Sequence, residues 1–431
     1  MHARQFVRQT PYLAWVMLYC AVTWGLFGVT LGLVTPNLRA QLHLRYEDMG
    51  LLMALWAMAS VVGSLLGGAV AHRHPPRRLF LVYVTLATGL LVVLSQAQTF
   101  GVLVASFVLI AMAESALFTL GHGVLASLST DAELRTRIIG LVDVGYSLGT
   151  LLAPLWVSAW FAHDPAWRGP YTGFVVLMAL LGLLLSPPAP YRTLKLHAAD
   201  APEPADPDAP AAPAPTASDG GYGFLLRQPV VRFGLTAAAL IGFVEWGQNF
   251  WLVSYVQQGL DWGETLARQA VFALMGGMLA GRIWQTFVPS RWTMNQKIRH
   301  LGSLCVLGLL AQNGAGWLGQ AAPAWLAVGQ VGVVLASLAV GLGVSVAFPI
   351  LLGTLVHAQP QQASRLSALT MIAICLGAAL ASQSIGRLAD LWGMDSAFAL
   401  LLLSALGYRL ALRPLGRVTE AAPADAPSTP T

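Results

Sequence analysis

Of the 431 residues, 56% are hydrophobic and 10% are charged, with a mean hydropathy of +0.65 and a formal net charge of +5. A soluble domain carries about 25% charged residues, and no soluble core of this length buries so much apolar surface. The composition therefore excludes an ordinary soluble domain.

A helix crosses the hydrocarbon core of a bilayer with about 20 apolar residues, and twelve such runs occur in order. The first half holds spans at 12–34, 48–71, 78–96, 100–128, 137–161 and 170–186. Span 1 follows a basic segment containing Arg4 and Arg8, as a signal peptide does. It is too long for a signal-peptide core and many spans follow, so an uncleaved first helix is expected. Residues 187–228 then interrupt the pattern. They are rich in Pro, Ala and Asp and hold too few large apolar groups to offset the entropy of ordering them. The second half resumes with spans at 229–257, 264–289, 298–319, 325–356, 363–388 and 395–413.

The expected organisation is an all-α membrane protein with twelve transmembrane helices in two six-helix lobes. Residues 1–186 form the first lobe, 187–228 a disordered cytoplasmic linker, 229–413 the second lobe and 414–431 a disordered cytoplasmic tail. Gly28/Gly32, Gly63/Gly67 and Gly277/Gly281 are spaced to let helices approach closely. Cys20, Cys305 and Cys375 all fall in apolar runs and read as small buried hydrophobes, so neither a disulfide nor a metal is expected.

Lys and Arg set the orientation. With the N-terminus inside, only Arg39, Arg45, Arg168, Arg268 and Arg387 lie outside. The remainder of the 24 basic residues, Arg282 included, lie on the cytoplasmic side. Both termini and the linker are then cytoplasmic, as expected for a multi-pass protein of the cell (inner) membrane. The net charge follows from this rule and calls for no nucleic-acid partner.

The halves look like repeats. Val22-Thr23-Trp24-Gly25 in span 1 recurs as Val244-Glu245-Trp246-Gly247 in span 7. Leu148-Gly149 in span 5 recurs as Leu376-Gly377 in span 11, where Arg137 also matches Arg365 and Ala153 matches Ala381. Chains duplicated this way place the solute site at the lobe interface near the midplane.

Three acids lie deep in spans: Glu114, Asp143 and Glu245. An acid at membrane depth costs several kcal/mol unless paired, protonated or hydrated, so each is a functional candidate. The alternative is a carboxyl hydrogen-bonded between helices. Gln248, Asn249 and Tyr255 follow Glu245 near one helical face, flanked by Trp246 and Trp251. Such a stripe is too costly to aim at lipid. Asp143 has Tyr146 and Ser147 on one face, and its repeat counterpart is Met371. His122 lies two turns from Glu114, about 80° around the helix, and reads as a proton relay or a satisfied hydrogen-bonder.

Other strings lead nowhere. Gly145-Tyr-Ser147-Leu-Gly149 spells a hydrolase elbow, but inside an apolar helix rather than on a strand-to-helix turn. His72-Arg-His74 sits in a basic loop and is not a metal set. Both lysines, Lys195 and Lys297, lack a preceding phosphate loop, so ATP-driven pumping by this chain is excluded. No cofactor is expected.

The chain from about 12 to 413 resembles the major facilitator superfamily. Gly67-Gly68-Ala-Val-Ala-His72-Arg73-His74-Pro75-Pro76-Arg77-Arg78 looks like a degenerate form of the family's loop G-x-x-x-D-R-x-G-R-R, with His72 at the usual Asp and Pro75 at the usual second Gly. Gly386-Arg387-Leu-Ala-Asp390-Leu-Trp-Gly393 is similar to the family's G-R-L-A-D-x-x-G. Gly341-Leu-Gly-Val-Ser-Val-Ala-Phe348-Pro349 and Glu245…Trp251…Tyr255 resemble the fucose/hexose:proton symporter branch. That branch carries an acid in span 1, whereas this span offers only Tyr19, Thr23 and Thr30.

The resemblance implies a secondary transporter working by alternating access. It implies a small, sugar-like polar solute moved with protons by a monomer in contact with membrane lipid. Glu245, Asp143, Glu114 and His122 are the proton-coupling candidates. Thr23, Trp24, Tyr146, Gln248, Asn249, Trp251 and Tyr255 are the solute-cavity candidates, and Gly68, Arg73, Arg77 and Arg78 form the cytoplasmic gating loop. Two alternatives are a proton-antiport exporter of amphipathic compounds and a non-transporting membrane sensor. Span 5 lacks the exporters' G-P-x-x-G-G run, and the termini and linker leave no soluble output domain.

Overall fold

The computed structural model describes residues 10–71, 73–128, 132–191, 222–288, 292–359 and 362–420, and among them every regular element is a helix. Numbered as the spans, the first lobe comprises α1 (Tyr12–Leu42), α2 (Tyr46–Ala71), α3 (Pro76–Ser95), α4 (Phe100–Ser127), α5 (Ala132–Phe161) and α6 (Arg168–Leu185). The second comprises α7 (Pro229–Ser254), α8 (Glu264–Phe287), α9 (Met294–Ala321), α10 (Leu326–Val344 and Ala347–Ala358), α11 (Ala363–Trp392) and α12 (Leu400–Glu420).

Eleven of these helices are long and apolar enough to cross a membrane. The twelfth, α8, has the length, but Arg268, Gln269 and Arg282 depress its hydropathy. In the segment read as a linker, residues 192–221 lie outside the described residues, and Tyr222–Arg227 forms a short helix that buries Leu225. In the expected tail, α12 runs on past 413 to Glu420, and 421–431 lie outside the described residues.

Local chemistry sets the helix ends. Pro76 opens α3 at its first turn, where its missing N–H is no loss. Thr293 and Gln296 form a capping box on α9. Gly393, with φ of 87°, lets the chain leave α11. Pro349 breaks α10. It has no N–H for the Ser345 carbonyl four residues back, and its ring crowds that carbonyl, so the helix stops at Val344 and restarts at Ala347.

Glycines decide how the helices cross. In the first lobe, Gly25 on α1 abuts the Tyr146 carbonyl of α5, and Gly149 on α5 abuts the Val22 carbonyl of α1. In the second, Gly242 on α7 abuts the Ile374 carbonyl of α11, and Gly377 on α11 abuts the Ala239 carbonyl of α7. The same reciprocity joins α8 and α10, where Gly277 abuts the Leu338 carbonyl and Gly341 the Leu274 carbonyl, while across α2 and α4 the contact runs one way, from Gly63 to the Met112 carbonyl. No side chain fits between such pairs.

These crossings support the duplication and correct its register. Tyr146 and Ile374 are equivalent, as the match of span 5 to span 11 requires. Val22 is then equivalent to Ala239 and Gly25 to Gly242, so the likeness of Val22-Thr23-Trp24-Gly25 to Val244-Glu245-Trp246-Gly247 is out of register. Glu245 stands opposite Gly28, not Thr23. A four-residue likeness between apolar helices is weaker than a backbone contact that only glycine permits.

The lobes meet along α2 with α11, α1 with α7 and α5 with α8. An aromatic core fills the first lobe, with Phe27 edge-on to Trp24, Tyr171 and Phe174.

Candidate functional site

Four helices from both lobes bring charged and hydroxyl groups together inside the membrane-spanning region. Tyr146 on α5 feels the charges of Glu114 on α4, Glu245 on α7 and Arg282 on α8, and Glu245 in turn feels Arg282. Arg282 Nη1 donates to Ser147 Oγ of the first lobe at 2.6 Å, and Arg282 Nε donates to the Ser345 carbonyl at 3.4 Å. That carbonyl is the one Pro349 frees, so the break in α10 supplies an acceptor that holds a guanidinium at membrane depth. Glu114 is half-buried, and its Oε2 has no hydrogen-bond partner.

Glu114, Glu245 and Tyr146 thus converge as sequence candidates. Arg282 joins them, although the distribution of basic residues assigns it to the cytoplasmic side. The signal that finds it is Pro349, because a broken membrane helix requires a donor for its freed carbonyl.

Asp143 goes elsewhere. Its side chain is 59% exposed, and its Oδ1 lies 3.7 Å from His122 Nε2. His122 Nδ1 is 3.0 Å from the Phe118 carbonyl, and its ring lies 4.2 Å from that of Phe118. His122 therefore pairs with Asp143 across α4 and α5, not with Glu114. Ser147 Oγ donates to the backbone carbonyl of Asp143 at 3.1 Å, which leaves its lone pairs for Arg282.

The polar stripe after Glu245 splits into separate directions. Gln248 Nε2 donates to Gln312 Oε1, and Gln312 Nε2 donates to Ser337 Oγ, each at 2.8 Å, in a fully buried chain within the second lobe. Asn249 is buried where its carbonyl meets Gly32 of α1, and its Oδ1 has no hydrogen-bond partner. Trp251 is buried, with its ring 6.1 Å from Tyr46 of the first lobe, and Tyr255 stacks on Phe398 at 4.1 Å. In the first lobe, Thr23 Oγ1 donates to the Tyr19 carbonyl at 3.0 Å, and Trp24 lies in the aromatic core.

At the predicted gating loop, Arg77 Nε donates to the Ser186 carbonyl at 2.8 Å, tying α3 to the end of α6 within one lobe. Arg73 and Arg78 are exposed, Gly68 has open space where a side chain would begin, and His72 lies outside the described residues.

The opposite end of the bundle carries a denser set of contacts between lobes. Asp390, at the end of α11, accepts from the backbone N–H of Tyr46 at 3.1 Å and of Glu47 at 2.8 Å, capping α2 across the lobe boundary. Gln258 Oε1 accepts from Arg39 Nη1 and from the Tyr46 hydroxyl, both at 2.8 Å. The Arg39 guanidinium lies 3.3 Å above the Tyr46 ring. A carboxylate near the C-terminus of its own helix opposes the helix dipole, so Asp390 needs a positive partner, which the N-terminus of α2 supplies. Among the described residues, α4 and α10 make no extended contact at the other end.

The family model of the Major Facilitator Superfamily matches residues 13–382. The chain belongs to the major facilitator superfamily. No characterised protein sequence gives a significant match to this facilitator. Among solved structures it is similar to a bacterial homolog of the human lysosomal transporter Spinster in an inward-facing, unoccupied conformation. That likeness has 16% identity and a TM-score of 0.63, over 95% of this chain and 98% of that one. It is also similar to the nucleoside transporter NupG, at 14% identity and a TM-score of 0.66, over 94% of this chain and 98% of that one. Identities this low show the fold alone.

As a major facilitator the chain is a multi-pass membrane transporter and not an enzyme, and it acts on a small-molecule solute.

Proposed function

We propose that this facilitator moves a small polar organic solute across the cell (inner) membrane by alternating access, coupled to protons. The observation that carries the proposal is the cluster of Glu114, Tyr146, Glu245 and Arg282, contributed by both lobes at membrane depth. Such groups are costly in a bilayer and mark ion and substrate paths. A carboxyl within the field of a guanidinium, as Glu245 is within that of Arg282, can gain and lose a proton as the lobes move, which is what coupling requires. The Asp143–His122 pair is a second proton-bearing element. Contacts concentrated at one end of the lobe boundary suit a molecule closed on that side and ready to open on the other.

The sugar-like character of the solute rests on the resemblance of spans 7 and 10 to the fucose/hexose:proton symporters. Both termini are placed in the cytoplasm by the basic residues, and a monomer suffices, since each six-helix lobe finds its partner within the chain. Export is the second reading, and the ring-rich lobe boundary, where buried Trp56 and Phe250 pack around half-buried Trp246, favours it for an amphipathic solute.

The test is a thermal-shift screen of the purified protein at two pH values, because bound solute raises apparent stability. Flux is then measured in proteoliposomes under an imposed pH gradient. Glu245→Gln and Asp143→Asn are expected to lose uphill transport. Full proton-coupled transport by both variants would sink the assignment, and the direction of flux separates import from export.

A further inference from the structure

We infer that an anionic phospholipid of the cytoplasmic leaflet binds along the seam between α9 and α12, with its phosphate on Arg299, Arg409 and Arg413. The site lies on the second lobe alone and is separate from the solute path.

The two helices carry the same order of chemistry from the cytoplasmic end inward. On α9, Arg299, Ser303, Leu307 and Leu310 follow at intervals of four, four and three residues and share one side of the helix. On α12, which runs the other way, Arg413, Arg409, Leu406 and Leu403 follow at four, three and three. Leu307, Leu310, Leu403, Leu406 and Leu410 are all exposed. In a bilayer such leucines meet acyl chains, which are as apolar as they are. A lipid whose tails cover them has its headgroup level with the arginines.

Ser303 ties the helices together at that level. Arg409 Nε donates to Ser303 Oγ at 3.0 Å, and Ser303 Oγ donates to the backbone carbonyl of Arg299 at 2.9 Å. The Tyr408 ring packs directly over Gly302 beside it. Arg409 is thereby fixed between the helices with donors left over. Its Nη1 is shielded and has no hydrogen-bond partner among the described residues, and Nε alone is bonded.

The charge has no counterpart on these helices. Arg409 feels the charges of Arg299 and Arg413, and both of those side chains are exposed. There is no Asp or Glu in α9, and none in α12 before its last residue, Glu420. Three like charges on one seam repel one another. A phosphodiester supplies both missing things, negative charge and acceptor oxygens for a guanidinium, and basic pockets between helices on the cytoplasmic side suit lipid headgroups. Free phosphate has the charge but nothing to cover the leucines, so the occupant is a lipid.

The experiment uses the purified full-length chain in phosphatidylcholine nanodiscs, with melting temperature followed as phosphatidylglycerol replaces part of the phosphatidylcholine. About 0.5 M salt screens the general attraction of surface cations to the leaflet. Inorganic phosphate and glycerol 3-phosphate, added to phosphatidylcholine discs, form the soluble arm. Phosphatidylglycerol is expected to raise the melting temperature, and neither soluble phosphate to match it. Arg409→Gln removes a charge-assisted hydrogen bond and should weaken the titration by about tenfold or more. The triple change of Arg299, Arg409 and Arg413 to Gln should abolish it. Arg232→Gln, at an exposed arginine of α7, should leave it unchanged. If Arg409→Gln does not fold, Arg413→Gln takes its place and should weaken the titration in the same direction. Equal melting temperatures with and without phosphatidylglycerol overturn the proposal. So does a rise that the triple variant keeps, or an equal rise with soluble phosphate. Disulfide cross-linking of Leu406→Cys between copies, in protein otherwise free of cysteine and undiminished by phosphatidylglycerol, would give this face to a second copy and refute the lipid.

Discussion

Asp390→Ala is the sharpest test of how the lobes are held together. Its carboxylate accepts two backbone N–H groups at the start of α2, at 3.1 and 2.8 Å, across the lobe boundary. A hydrogen bond to a charged group contributes about 1.5–3 kcal/mol when buried, and a charge at an exposed helix end about 0.3–1 kcal/mol. Asp390 is exposed, so the pair together should contribute about 1–2 kcal/mol. Removing it shifts the balance between closed and open states at this end by about 5- to 30-fold. Asp390→Asn keeps one acceptor and should give roughly half the free-energy change. The measurement is the distance distribution between spin labels at Gln96 and Ala324, both exposed at this end, in protein whose three cysteines are replaced. Alanine should populate a longer distance that the parent lacks. Superimposable distributions for parent and variant would refute the capping argument.

Three further outcomes rest on particular side chains. Gln312→Leu strands Gln248 in the core, while Ser337 keeps its bond to the Val333 carbonyl, and should cost about 1–3 kcal/mol. The double change Gln248→Leu with Gln312→Leu should melt higher than Gln312→Leu alone, and the reverse order would contradict the network. Pro349→Ala restores an N–H for the Ser345 carbonyl and a helix former in place of one that costs about 3 kcal/mol. It should preserve or raise the melting temperature while lowering transport, because Arg282 loses its acceptor, and unimpaired transport would rule this out. His122→Gln and Asp143→Asn should give the same uptake defect, with the double variant no worse than either. Additive losses in uptake assays would mean the two act separately.

The bilayer makes most of the fold legible from composition. It demands about 20 apolar residues per crossing, and those runs stand out whatever they pack against. The match of Leu148-Gly149 to Leu376-Gly377 is legible for a related reason, since both glycines meet a backbone carbonyl and cannot change without moving a helix. The register of α1 against α7 is not legible, because four similar residues carry no record of what they touch. Arg282 reads with the loop cations because a basic residue near a helix end ordinarily reaches for the interface, whereas here its guanidinium turns to Ser147 and to the carbonyl freed by Pro349. Asp390 stands out as part of a motif. Its partner, the start of α2, is 344 residues away, and no local pattern encodes that distance. Asp143 shares a helical face with Tyr146 by spacing, but long side chains on neighbouring helices decide which acid meets which base.

The reciprocal glycine crossings have a mechanical consequence. Where helix backbones touch directly, no layer of side chains remains to shear, so each lobe behaves as a stiff body with little internal give. Release of the Asp390 cap cannot be absorbed locally and reappears as rotation of the whole body.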